Sequence, residues 1–108
     1  MEYLTKPLEP KQIYNRLKQS AKKRGIDFTL TLSDIHSLDL PISCPILGIP
    51  LRWYRGEPQD GSYSFDRIDS TLGYSIDNLQ IISFKANRAK NNLTVDEIKR
   101  MAMFLSSQ

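Results

Sequence analysis

Thiols, imidazoles and long apolar runs are scarce in this 108-residue chain, which has one cysteine, one histidine and one tryptophan. Cys44 alone closes no internal disulfide and accords with a reducing cytoplasm. It also excludes a zinc site built mainly from thiolates. No segment approaches the roughly 20 consecutive apolar residues of a membrane helix. Met1-Glu2-Tyr3-Leu4 lacks the basic region and apolar run of a signal peptide, so none is expected. Internal repeats and low-complexity tracts are absent too.

What remains is an ordinary globular composition, 40% apolar and 25% charged, of a length that suits one domain with a small core. The net charge of +3 says little, but its distribution says more. Between positions 6 and 24, Lys6, Lys11, Arg16, Lys18, Lys22, Lys23 and Arg24 face a single acid, Glu9. Lys85, Arg88 and Lys90 form a second basic group. Two basic patches suit a polyanionic partner, although solvated helix faces show the same pattern.

Local signals place the elements. Pro10 sits near a helix start, Ile13, Leu17 and Ala21 share one helical face, and Gly25 ends that helix. Phe28 to Leu30 suggests a short extended piece. Thr31 with Asp34 looks like the cap of a short helix carrying Ile35 and Leu38 to the break at Pro41. Pro41, Pro45, Gly48 and Pro50 punctuate a structured loop. Strands are expected at Leu51 to Tyr54, Tyr63 to Ile68 and Leu79 to Ile82, with a turn from Asp69 to Tyr74. Ser83 to Lys90 reads as a basic helix. Thr94 and Glu97 form a capping-box pair, opening a last helix whose apolar face is Val95, Ile98, Ala102 and Leu105.

The chemistry concentrates between positions 66 and 90. Cleaving a phosphodiester requires charge neutralisation on phosphate, an activated water and a stabilised leaving oxygen. A hard divalent cation meets two of these needs with few protein ligands, because it keeps waters and takes phosphate oxygens. Asp66, near the end of a strand, and Asn87, on the following helix, are the candidate ligands. Asp66 could instead cap the turn, and Asn78 is common in turns for backbone reasons alone. Asn87 within a helix is less easily explained by propensity. Trp53 and Tyr54 suit a core or hairpin role better than base stacking, and Cys44 suits a small buried apolar side chain.

Asp66-Arg67-Ile68, Asn78-Leu79, Asn87 nine residues later and Lys90 form an ordered set. It resembles the HNH, or ββα-metal, nuclease family, with Asp-Arg-Ile in place of Asp-His-Ile. The likeness is clearest over residues 44 to 90. Lys22 to Phe28, Cys44 to Gly48, Gly73-Tyr74, Asn87 to Lys90 and Thr94 to Glu97 extend it toward a phage-type branch.

The resemblance implies an α+β fold in a single domain, 1–108. A helical N-terminal extension (1–43) would precede a small ββα-metal core (44–92) and a C-terminal helix (93–108). It implies a metal-dependent DNA endonuclease or nickase, phage-encoded and acting in the cytoplasm of an infected bacterium. One Mg²⁺ or Mn²⁺ would be held by Asp66 and Asn87. Arg67 would clamp a phosphate, and Asn78 would hold the loop or the base. Lys85, Arg88 and Lys90, with Lys22, Lys23 and Arg24, would touch the DNA backbone. No membrane is involved.

Two departures stand out. Many members hold a structural zinc with two Cys pairs; here only Cys44 remains, with Leu47, Ser83 and Ala86 at the other places, so packing is expected to replace the zinc. Arg67 stays protonated and cannot serve as a general base. That leaves a metal-activated water, a substrate phosphate or His36 for the role. Otherwise the chain is a degenerate relative that binds DNA, or inhibits a host protein, without cutting.

Overall fold

Helix α1 (Pro10–Arg24) begins where a proline costs nothing, since its missing N–H falls in the first turn. Its N-terminal end is closed by Gln12, whose Oε1 accepts from the Glu9 N–H at 2.8 Å. At the other end Gly25 adopts φ 65°, the left-handed conformation that stops the helix after Lys22, Lys23 and Arg24. The computed structural model describes residues 4–108, so the reading of Met1 to Tyr3 as lacking a leader lies outside the described residues.

The face formed by Ile13, Leu17 and Ala21 is buried, as its spacing predicts. It packs with Leu30, Ile35 and Tyr74, and Phe28, Trp53, Phe65 and Leu79 close around it. Helix α2 (Leu32–His36) contributes Ile35. Thr31 caps this helix: its Oγ1 accepts from the Asp34 N–H while the Asp34 carboxylate accepts from the Thr31 N–H. The helix stops at His36, two residues short of Leu38.

Strands β1 (Tyr63–Arg67) and β2 (Leu79–Ser83) form a two-stranded antiparallel sheet, giving a mixed α+β domain. The register pairs Ser64 with Ile82 and Asp66 with Gln80 on one face, and Phe65 with Ile81 on the other. Helix α3 (Phe84–Asn91) follows β2 directly and packs on both strands. Ser83 is its N-cap, with Oγ accepting from the Ala86 N–H at 3.1 Å.

The strand expected at Leu51 to Tyr54 does not form. Among the described residues this segment makes only single-residue bridges, Arg52 with Ser62 and Tyr54 with Leu4. Pro50 and Pro58 bound it closely, and a ladder cannot extend through residues lacking an N–H. Phe28 likewise makes one bridge, to Tyr74. There the N-terminal extension meets the hairpin turn, with Tyr74 N–H donating to the Asp27 carbonyl at 2.8 Å. A Cβ on Gly73 would lie 2.5 Å from that carbonyl oxygen, so the close approach requires glycine.

Helix α4 (Val95–Ser106) opens on the expected Thr94–Glu97 capping box. Its apolar face finds no partner among the described residues: Val95, Phe104 and Leu105 stay at least half exposed.

Candidate metal centre

Strand alternation puts Ser64 and Asp66 on the same face of β1. On α3, Asn87 and Lys90 lie three residues apart and share a helix face. Packing α3 across β1 matches the two pairs. Asn87 Nδ2 donates to Ser64 Oγ at 3.0 Å, and Lys90 Nζ donates to Asp66 Oδ2 at 2.7 Å. Asp66 and Asn87 therefore flank one small polar patch, to which β2 adds Gln80, donating to Asp66 Oδ2 at 3.2 Å.

The donor set fits a hard cation sparingly. Both partners of Asp66 take Oδ2, which leaves Oδ1 open. The carbonyl oxygen of Asn87 accepts only from exposed Asn91, at 3.3 Å. Two protein oxygens suffice for Mg²⁺ or Mn²⁺ when water and phosphate fill the other positions. Among the described residues no cluster of three or more His, Cys, Asp or Glu side chains is gathered for a metal. The Lys90 ammonium already neutralises the one carboxylate, and it also donates to the Arg67 carbonyl at 3.1 Å.

Lys90 thus turns inward, whereas Lys85 and Arg88 are exposed on α3. Arg88 lies over the Phe84 ring, 5.4 Å from its centroid. Lys22, Lys23 and Arg24 are exposed on the last turn of α1, an element that packs on α2 rather than on α3. His36, at the end of α2, is exposed and makes no hydrogen bond to the patch.

Arg67 follows Asp66 and so belongs to the opposite strand face. Its Nη1 donates to the carbonyls of Ser70 and Leu72, both at 2.9 Å, and its guanidinium lies over Tyr74. A phosphate would therefore have to be reached from its other nitrogens. Asn78 is buried and ties the same turn together. Its Oδ1 accepts from the Asp69 N–H, and its Nδ2 donates to the carbonyls of Asp69 and Gly73. Thr71, through its hydroxyl and then its N–H, holds the Asp69 carboxyl below its ordinary pKa. The turn between the strands is fastened from three sides before any ligand arrives.

Cys44 with Leu47, and Ser83 with Ala86, come together at the start of α3. Cys44 is buried with Ala86, Leu51 and Ile82. Its Sγ accepts from the N–H groups of Leu47 at 3.5 Å and Ser83 at 3.3 Å. Burial pushes the thiol up, but hydrogen bonds from the Ser83 side chain and from nearby backbone N–H groups outweigh it, bringing the pKa to about 7. Cys44 is thus more than an apolar filler. It anchors a loop turn to the start of α3.

No family model matches the chain, and no curated protein or solved structure matches it. None of the described helices is long and apolar enough to cross a membrane.

The sequence reading missed a basic, aromatic groove of about 670 Å³ beyond the opposite face of the hairpin. Its walls come from residues 5–17, from 52–58, from 62–65 and from Phe84, so no local motif marks it.

Proposed function

We propose that the chain is a metal-dependent DNA endonuclease or nickase of HNH type, with the hairpin and α3 as its ββα-metal core. The observation that carries this reading is the seating of α3 across β1, where Asn87 bonds Ser64 and Lys90 bonds Asp66, two residues further along the same strand face. Asp66 and Asn87 would hold one Mg²⁺ or Mn²⁺, and this ion would supply charge neutralisation at the phosphate and at the departing oxygen. Lys85 and Arg88 hold neighbouring backbone phosphates, and Lys22, Lys23 and Arg24 add more distant contacts. Asn78 keeps the turn after Asp66 in register. Few side chains near the patch can read base edges, so cleavage has low sequence specificity.

A second reading is favoured by the Lys90–Asp66 ion pair. With an ammonium on the one carboxylate, the chain binds DNA, or a phage or host protein, and does not cut. A plasmid-nicking assay in Mg²⁺ or Mn²⁺ separates the two. For the nuclease, cutting appears with either ion and drops at least about 100-fold in both Asp66→Ala and Asn87→Ala, a loss in the range expected for removing a transition-state-stabilising group. Salt-sensitive DNA binding with no cutting in any divalent ion would establish the binder instead.

A further inference from the structure

The groove on the opposite side of the hairpin from Asp66 has a composition of its own. Lys6 and Arg16 reach it from the N-terminal extension, and Arg52 and Arg55 from the loop before β1. Among the described residues, Glu9 is the one acid in its walls. Between these charges lie aromatic rings. Trp53 stacks on Tyr63 with centroids 4.5 Å apart, and Tyr54 and Phe84 are half-buried at the wall. Four cations against one acid favour a polyanion. Flat rings between cations add a surface for planar bases, which a double helix keeps stacked inside itself. The groove also adjoins α3. Phe84, its first residue, is a wall of the groove and carries Arg88 over its ring. Lys85 lies beside Arg52 and Tyr54 around a smaller adjoining hollow. Cations therefore continue from the exposed face of α3 into the groove, with Asp60 the one acid of the hollow between them among the described residues.

We propose that this groove binds an unpaired DNA strand, with bases stacked on Trp53 and Tyr54 and phosphates held by Arg52, Arg55 and Arg16. The inference deepens the nuclease reading and rests on it only for the choice of DNA as the polymer. A strand separated from its complement beside α3 would be drawn round the start of that helix, away from Asp66. The preferred substrate is then a junction between duplex and single strand.

Trp53 is the sole tryptophan, so its fluorescence reports on the groove directly. The experiment titrates the full chain with an eight-nucleotide oligothymidylate in EDTA, and separately with a blunt eight-base-pair duplex. Saturable quenching by the oligothymidylate is expected, with affinity at least about tenfold above that for the duplex. Tyr54→Leu should weaken it at least about fivefold, the lower end of one lost base stack. Arg55→Gln, at an exposed position, should weaken it too, with an unchanged melting temperature. Equal quenching by the duplex, or displacement of the oligonucleotide by poly-glutamate, would overturn the proposal. So would loss of binding in Asp66→Ala, which would put the strand on the other face. Failure of the nuclease reading looks different: Trp53 is still quenched by the oligonucleotide, while no plasmid is nicked in any divalent ion.

Discussion

Lys90 is the residue whose place most alters the chemistry of the patch. Exposed on a helix it would be one more phosphate contact; turned inward it is the counter-ion of Asp66, with both side chains largely shielded from solvent. Partial burial makes such a pair stronger than an open surface bridge. On the proposed reading, a divalent ion would have to displace or share with an ammonium. Lys90→Met should tighten Mn²⁺ binding about fivefold or more, roughly 1 kcal/mol of lost competition, as read by calorimetry. Unchanged Mn²⁺ affinity would mean that the ammonium does not compete. Arg67 bears on the missing base. Because it faces away from Asp66 and latches the turn, Arg67→His should not raise nicking above the level of the parent. It should instead cost stability of about 1 kcal/mol, several degrees in melting temperature, through the lost bonds to Ser70 and Leu72. A gain in nicking would show that the side chain at 67 can reach the reacting phosphate.

At the scale of elements, the loop turn at Cys44 to Leu47 and the first turn of α3 meet as two halves of a metal knuckle would, but hydrogen bonds to a thiol and a small apolar cluster join them. The triple variant Leu47→Cys, Ser83→Cys and Ala86→Cys should therefore bind one zinc ion tetrahedrally, visible as cobalt charge-transfer absorption, and melt higher than the parent. Failure to bind would indicate that these four positions do not share one centre. Much of this level was legible in the chain. Pro10 and Gly25 bound α1, and Thr31 and Thr94 announce their helices, because caps are set by residues within one turn. The hairpin strands follow from alternation. Leu51 to Tyr54 was not legible as loop, since four residues of strand-like composition cannot reveal that the described neighbours offer them only single-residue bridges. The inward turn of Lys90 depends on how α3 lands on β1, which is a tertiary fact. Asp66 and Asn87 could be named from their order, but their shared face required the packing.

For the whole molecule, α4 is the outlying part. It caps well and is amphipathic, yet none of its residues is buried. Local signals made the helix legible and gave no hint that its apolar side lacks cover. Removing residues 94–108 should leave the melting temperature within about 2 °C of the parent, because surface removal away from packed features changes stability little. It should also reduce self-association in light scattering, since exposed apolar patches promote it. A large fall in melting temperature would show that α4 packs on the domain in solution.

The bond between Lys90 and Asp66 has one further consequence. A chain that supplies its own provisional cation has no need to wait for a divalent one before it matures. On the nuclease reading proposed above, assembly and activation would be separate events, with a metal arriving at a molecule that is already folded.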